Sequence, residues 1–508
     1  MSSRSRINLR KLVVISALLT ANFVWCQSSS HRVVPASPLT EARAQMAKHD
    51  LQSAENSIWK VLSSDPNNSD ALLLLGMVRS DQQRFAEAET LFNRVLQLDP
   101  NSAAAHLNLA KSYLAEKKLA NAMDEYQKAG QLLPHDVEVH VTLARLYAAN
   151  GEFASALSSL DAIPESRLPP DAVPVRVACL LALGRQDQAI KLAHAVKSPS
   201  VALAVAEVFV TSKLPQESLK LLSAAAASGK RPPARFYFVK GQALDASGNS
   251  AAALENFQKA IALEPNSEEY LLTTAELYAR QGKHPEAFEV LQRTYKLDST
   301  SPQVLRPLIL EASFSGKSAD VQDAAEQLAK SDEPQDLFVA ASVFLKNVRQ
   351  DEAVPLLEKY VEKVPNNATA WVGLGVGYED LKRFADAQKA FERALQADPK
   401  FVDAEYQLGI LTSVNGNSGG SIQHFEHAIQ INPDHAPSLE KLGGLYLQAG
   451  EFEKARDVLL KSEALDPHNR QVEYGLALVY GKLGNREEAR IHMDRFEKAG
   501  PIGATEKK

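Results

Sequence analysis

The sequence is poor in aromatic residues and in cysteine. Phe, Trp and Tyr make up 7% of its 508 residues, and its two cysteines are Cys26 and Cys179. Strands favour aromatic and β-branched side chains, whereas Ala, Leu, Glu, Gln and Lys, which dominate here, favour helices. We therefore expect an all-α fold. Cys179 lies in the apolar stretch 177–183, which predicts a buried small residue rather than half of an internal disulfide.

Clusters of basic residues are absent beyond residue 11. The formal net charge of −6 becomes −10 in a product that begins at Gln27, because the first 26 residues carry Arg4, Arg6, Arg10 and Lys11 and no acid. Nucleic-acid binding requires the opposite sign of charge, and anionic membrane surfaces attract polybasic segments. The charge pattern therefore argues against a nucleic-acid partner. It leaves an N-terminal anchor as the one route to a membrane.

Recognisable catalytic motifs are also missing. The sequence has no His-Glu-x-x-His pattern, phosphate loop, nucleophile elbow or paired cysteines. His424 and His427 stand one helical turn apart, but a metal site needs further ligands, so we interpret them as surface histidines. We predict a protein that is not an enzyme and that has no catalytic residues, no metal and no cofactor.

The N-terminus has the layout of a secretory signal peptide. Four positive charges precede the mostly apolar run 12–25, which is shorter than the roughly 20 residues of a membrane-spanning helix. We predict a signal peptide at 1–26 and a linker at 27–34, in an exported bacterial protein of the periplasm or cell envelope, or a secreted one. A retained anchor and lipidation at Cys26 stay open, although the bulky Trp25 disfavours lipidation.

Prolines recur at intervals of 34 residues, which indicates an internal repeat. Counting from each proline to the next helical segment predicts units that begin at 35, 69, 103, 137, 171, 200, 234, 268, 302, 334, 368, 402, 436 and 470. The prolines in this phase are Pro66, Pro100, Pro134, Pro265, Pro365, Pro399, Pro433, Pro467 and Pro501.

The unit that begins at Ala368 shows the repeat most clearly. Its apolar and small residues form two stripes at helical spacing, which predicts a helical hairpin that ends at a proline. The pattern consists of Trp371, Leu374, Gly375, Tyr378, Ala387, Phe391, Ala394 and Pro399. It closely resembles the tetratricopeptide repeat family. The resemblance implies a right-handed superhelical solenoid of about 14 stacked antiparallel hairpins that binds proteins or peptides.

The phase of the repeat divides the chain. Regular units fill 35–170 and 234–503, with a loose tail at 504–508. Between them, 171–233 is expected to hold two degenerate units and a bend, because Pro169, Pro170 and Pro174 crowd together. Pro307 lies inside a predicted first helix and marks a second irregular position.

Partners of this family commonly lie in a groove lined by the first helices, so the resemblance implies a binding surface there. The charged clamp known in some members is matched only by Asn108 and Arg145, and no asparagine ladder is present. The predicted groove residues are instead apolar or aromatic, with packing between hairpins as the alternative role. They are Phe238, Phe338, Val372, Val376, Tyr406, Ile410, Tyr474 and Leu478.

These features predict an exported scaffold or adaptor that binds partner proteins or peptides in its groove. Two alternatives are an accessory of polysaccharide or outer-membrane export machinery and a regulatory subunit of an envelope enzyme.

Overall fold

The computed structural model describes residues 37–226 and 231–498. The predicted signal peptide, the linker, Cys26 and the C-terminal tail lie outside these residues. The chain divides into two compact units, Met1–Pro265 and Asn266–Lys508, called here the N-terminal and C-terminal units. Both are built from α-helices, and the described residues include no strand.

The N-terminal unit contains fourteen α-helices within its described residues. They are α1 (Pro38–Ala47), α2 (Leu51–Ser64), α3 (Ser69–Asp81), α4 (Phe85–Leu98), α5 (Ala103–Ala115), α6 (Leu119–Leu132), α7 (Val137–Asn150), α8 (Phe153–Asp161), α9 (Val173–Ala182), α10 (Gln186–His194), α11 (Pro199–Thr211), α12 (Pro215–Ala226), α13 (Ala234–Ala246) and α14 (Ser250–Leu263). Short 3₁₀ helices at Glu165–Arg167 and Pro170–Ala172 lie between α8 and α9.

The C-terminal unit contains a further fourteen α-helices in the part that the structure describes. They are α15 (Glu268–Arg280), α16 (His284–Leu297), α17 (Pro302–Phe314), α18 (Gln322–Leu328), α19 (Pro334–Lys346), α20 (Gln350–Lys363), α21 (Ala368–Asp380), α22 (Phe384–Ala397), α23 (Val402–Val414), α24 (Ser418–Ile431), α25 (Ala436–Ala449), α26 (Phe452–Leu465), α27 (Arg470–Lys482) and α28 (Arg486–Lys498). A 3₁₀ turn at Ser318–Val321 precedes α18.

Successive helices pair into hairpins, and the second helix of one hairpin packs against the first helix of the next within each unit. The predicted all-α fold of tetratricopeptide-like hairpins is confirmed. First helices begin at Ser69, Ala368 and Val402, where the proline period predicts them. The first helices of neighbouring hairpins, such as α25 and α27, also contact one another.

The turn inside each hairpin needs one residue with a left-handed backbone. At intervals of 34 residues this residue is Val348, Lys382, Gly416, Gly450 and Gly484. Glycine adopts this conformation at no steric cost, whereas a β-branched residue is strained there. Val348 has φ 59° and its side chain is 77% exposed, so the strain is not offset by burial of the side chain.

The predicted irregular segment contains the shortest hairpin of the N-terminal unit. Helices α9 and α10 have ten and nine residues, and 3₁₀ turns precede them where Pro169 and Pro170 interrupt the α-helical pattern. In the C-terminal unit, α17 continues through Pro307 to Phe314. None of the described helices combines the length and the apolarity that crossing a bilayer requires.

Cys179 is fully buried in the core of the N-terminal unit, as the sequence predicts. Burial raises the pKa of its thiol to about 11, because the apolar surroundings disfavour the thiolate. The side chain therefore behaves as a packing residue.

Candidate interaction surface

The predicted binding residues of the C-terminal unit occupy two positions of the first helices. Counted from the first residue of each helix, they lie at positions 5 and 9, one turn apart, so they share a side of the helix. Five of them are partly buried, while Tyr474 is 44% exposed and Leu478 is 36% exposed. We call these residues, together with Gly444 at position 9 of α25, the first-helix surface. Its members are Phe338, Val372, Val376, Tyr406, Ile410, Gly444, Tyr474 and Leu478.

The aromatic members of this surface also pack against the core. The ring centroid of Phe338 lies 5.1 Å from that of Tyr360. Tyr406 lies 5.8 Å from Phe425 and 5.4 Å from His435, centroid to centroid. Such ring pairs favour tilted or edge contacts. These side chains are held in place by one side of the ring and leave the other side partly accessible.

Phe238 does not belong to an accessible surface, and its prediction as a groove residue is wrong. Its side chain is fully buried. The ring packs against Phe257 with centroids 5.5 Å apart, and the guanidinium carbon of Arg235 lies 5.2 Å from its centroid. Because Arg235 covers the ring, Phe238 contributes to the core of the N-terminal unit instead.

Gly444 interrupts the apolar row at position 9. The other helices place Val376, Ile410 and Leu478 there. Gly444 is exposed, and a Cβ atom built on it would meet no other atom within 4 Å. Its neighbour Gly443 differs, because a Cβ there would lie 2.5 Å from the side chain of Leu459. Packing therefore explains Gly443 and not Gly444, although glycine within a helix costs about 0.5–1 kcal/mol relative to alanine.

A cavity of about 360 Å³ opens in the N-terminal unit, where the sequence pattern is irregular. It lies between the helices α7, α9 and α11, which precede α8, α10 and α12 in their hairpins. Its charged rim residues are already paired: Arg145 contacts Asp171 at 2.5 Å, and Glu207 contacts Arg235. The apolar lining consists of Pro170, Pro174, Val175, Ala178, Val201, Ala204 and Val208.

The sequence pattern did not reveal this cavity. Of the two residues that match the charged clamp, Arg145 is engaged by Asp171, and Asn108 donates a hydrogen bond to the carbonyl of Ala104 in its own helix. The signal that was available is the proline cluster itself. It shortens α9 and α10, and first-helix side chains then line an opening rather than a continuous contact.

A family model described as "Tetratricopeptide repeat" matches most of the chain, at residues 39–103, 73–137, 203–267, 238–302, 338–400, 372–436 and 440–504. A second model with the same description matches 113–173. The chain belongs to the tetratricopeptide repeat family. Tetratricopeptide repeats bind protein or peptide partners and act as scaffolds for protein interactions.

Known tetratricopeptide proteins resemble parts of this chain. The BBSome complex member BBS4 homolog of Drosophila melanogaster is 25% identical over 269 residues, 49% of this chain and 54% of that protein. The peroxisomal targeting signal receptor of Kluyveromyces lactis is 27% identical over 168 residues, 32% and 29% of the two chains. The chain thus spans about half or less of these relatives. A chain in the crystal structure of the APC/C hetero-tetramer Cut9-Hcn1 is 14% identical, with 92% of this chain and 96% of that one covered at a TM-score of 0.40.

Three tetratricopeptide hairpins contain a buried pair of Glu and His between position 4 of the first helix and position 23 of the unit. Regular units carry apolar residues there, such as Trp371 and Ala390. The Nδ1 and Oε2 atoms of each pair lie 2.5–2.7 Å apart. The pairs are His106 with Glu125, Glu405 with His424, and Glu473 with His492.

The two neighbouring histidines noted in the sequence belong to one of these pairs. His424 Nδ1 lies 2.7 Å from one oxygen of Glu405, and His427 Nδ1 lies 3.6 Å from the other. His427 is mostly exposed, whereas His424 is partly buried. A single carboxylate therefore engages both rings.

Proposed function

We propose that this protein is an exported scaffold that binds a segment of a partner protein along the first-helix surface of its C-terminal unit. The family supports the interaction role, and the charge and apolarity of residues 1–26 support export to the periplasm or cell envelope. In this proposal the chain contributes binding and the partner contributes any catalysis.

The observation that carries the proposal is Gly444 within the apolar row. Val376, Ile410 and Leu478 offer apolar contacts that an amphipathic partner helix or an apolar extended segment would cover. At Gly444 the surface lacks even a Cβ atom, and no atom of the chain fills the space. A partner side chain or backbone is therefore able to approach α25 more closely than its neighbours. The stability that glycine costs the helix is then retained for binding.

A site-specific photo-crosslinking experiment tests this surface. A benzophenone amino acid replaces Tyr474, which is aromatic and 44% exposed, in protein expressed in its own cells. The matched control carries the same group at the exposed residue Lys389, on the second helix of another hairpin. We expect a defined cross-linked partner from position 474 that position 389 does not give. We also expect Gly444→Trp to reduce that product at least about tenfold, because the new ring fills the space at α25.

Identical products from positions 474 and 389, or a product that Gly444→Trp leaves unchanged, would contradict binding at the first-helix surface. Export is tested separately. Cell fractionation and mass measurement of the N-terminus are expected to find a processed chain in the envelope fraction, and a full-length chain in the cytosol would exclude export.

A further inference from the structure

The last two hairpins bring two carboxylates and an imidazole together outside the first-helix surface. Glu463 lies on α26, Glu473 on α27 and His492 on α28. One ligand atom from each lies within 4.8 Å of the others. The Nδ1 atom of His492 is 2.7 Å from Glu473 Oε2 and 3.8 Å from Glu463 Oε1. We call these residues the Glu463–Glu473–His492 cluster.

The repeat shows which member of the cluster is unusual. The pair Glu405 and His424, 68 residues earlier, has the same geometry as Glu473 and His492. At that earlier level, the residue that corresponds to Glu463 is Leu395, which packs against the core. A Glu–His pair alone is thus a packing solution that the repeat uses elsewhere. The third group, Glu463, adds a second carboxylate beside the last pair.

Two carboxylates at a nearly dry position require positive charge nearby. The side chains of Glu473 and His492 are 4% and 3% exposed, and that of Glu463 is 19% exposed. Arg495 Nη1 lies 2.5 Å from Glu463 and 3.6 Å from Glu473. Its side chain is 54% exposed, so the guanidinium is able to move into solvent when another cation takes its place.

We propose that the Glu463–Glu473–His492 cluster binds a divalent transition-metal ion of the Zn²⁺ class in exchange for the guanidinium of Arg495. One nitrogen and two carboxylate oxygens suit Zn²⁺, whereas Mg²⁺ and Ca²⁺ prefer oxygen ligands alone. Tetrahedral zinc with ligand distances of about 2.0–2.2 Å places its ligand atoms roughly 3.4 Å apart. The observed separations of 2.7 and 3.8 Å require movements of about half an ångström.

The ion would join three helices of two successive hairpins. Tyr480 stacks on the ring of His492, with centroids 5.5 Å apart and an angle of 8° between the planes, and thereby fixes the orientation of the imidazole. The role is structural: the ion attaches α28 to α26 and α27, so the last helix unfolds less often when the metal is bound. This inference does not depend on the proposed binding surface.

The test uses the purified chain after treatment with a chelator. Isothermal titration with Zn²⁺ is expected to show a high-affinity site with a stoichiometry of one. Hydrogen exchange is expected to slow in α28 when Zn²⁺ is present. Co²⁺ is expected to give visible absorption bands of a tetrahedral site. Glu463→Gln preserves the Glu473–His492 pair and the shape of the side chain, and it should weaken Zn²⁺ binding at least about tenfold.

Two variants complete the design. Glu405→Gln changes the equivalent pair that lacks a third ligand, and it should leave the high-affinity site intact. Arg495→Gln removes the competing guanidinium and should strengthen Zn²⁺ binding several-fold. The proposal is overturned by the absence of a one-to-one site, by unchanged affinity in Glu463→Gln with a native circular-dichroism spectrum, or by equal losses in Glu463→Gln and Glu405→Gln.

Discussion

The backbone of Gly375 lies directly against the ring of Phe391, so closely that a Cβ atom at position 375 would overlap the ring. The two residues face each other across the hairpin of α21 and α22. The same relationship recurs between Gly409 and Phe425 in the next hairpin. This contact sets how closely the two helices of a hairpin approach.

Gly375→Ala is expected to lower the free energy of unfolding by about 1–3 kcal/mol, because the methyl group forces the helices or the Phe391 ring to move. Gly444→Ala is the matched control. It adds the same methyl group to a first helix at an open position and should raise the free energy of unfolding by about 0.5–1 kcal/mol. Chemical denaturation followed by circular dichroism measures both, and equal effects would refute the assigned packing.

Gly444→Trp should separate binding from stability. The bulky ring extends into solvent in the free protein, so the thermal midpoint should stay close to that of the parent. Binding to the partner captured by crosslinking should weaken at least about tenfold, which corresponds to about 1.4 kcal/mol. Gly444→Ala serves as the conservative variant and should keep most of the affinity. Unchanged binding by Gly444→Trp would remove Gly444 from the interaction surface.

Val348→Gly should stabilise the C-terminal unit by about 1 kcal/mol. Val348 has the left-handed φ of 59° at a turn position where later hairpins have Gly416 and Gly450, and a non-glycine residue there stores strain. Val414→Gly provides the comparison, since Val414 is also exposed but ends the helix α23. That variant should lose stability. Thermal melts of both proteins decide, and a destabilised Val348→Gly protein would contradict the strain.

The ion pair of Glu55 and Arg79 predicts sensitivity to acid in the N-terminal unit. Two hydrogen bonds from Arg79, at 2.7 and 2.6 Å, lower the pKa of Glu55 to about 2 from 4.5. A lowered pKa in the folded state stabilises the protein above pH 4.5, and this stability is lost as the pH falls from 4.5 towards 2. With screening by solvent, we expect a loss of about 1 kcal/mol.

Glu55→Gln should remove that part of the pH dependence. Its free energy of unfolding should be lower than that of the parent at pH 7, and the two curves should converge near pH 2. Glu286→Gln, a change at an exposed carboxylate, should run parallel to the parent curve. Denaturation at a series of pH values provides the measurement, and parallel curves for Glu55→Gln would show that the pair adds no stability.

The period of the prolines was enough to predict most of the fold. Each Asp-Pro step ends a helix, because the ring removes a hydrogen-bond donor and disfavours helix in the preceding residue. Helices α21 and α23 consequently begin at Ala368 and Val402, as expected. The prediction of helical hairpins rested on local chemistry that repeats, and local chemistry is what a single sequence displays.

The surface was harder to predict, because exposure depends on neighbouring side chains. Phe238 and Tyr474 occupy the same repeat position, yet Arg235 covers the first ring while the second stays accessible. The cavity beside Arg145 arises where the period fails, so the pattern could not place its lining. Glu463 comes from a different hairpin than His492. Recognising their proximity requires the stacking of hairpins as well as the repeat.

The buried pair of the fifth and sixth helices has the opposite orientation to its later equivalents. His106 is on the first helix and Glu125 on the second, whereas Glu405 and Glu473 are on first helices and face histidines. A chain of similar hairpins risks forming wrong partnerships while it folds. If α5 met α24, His106 would oppose His424, and neither ring would find its carboxylate. The reversed pair therefore acts as a recognition code that rejects this exchange of helices within an otherwise repetitive chain.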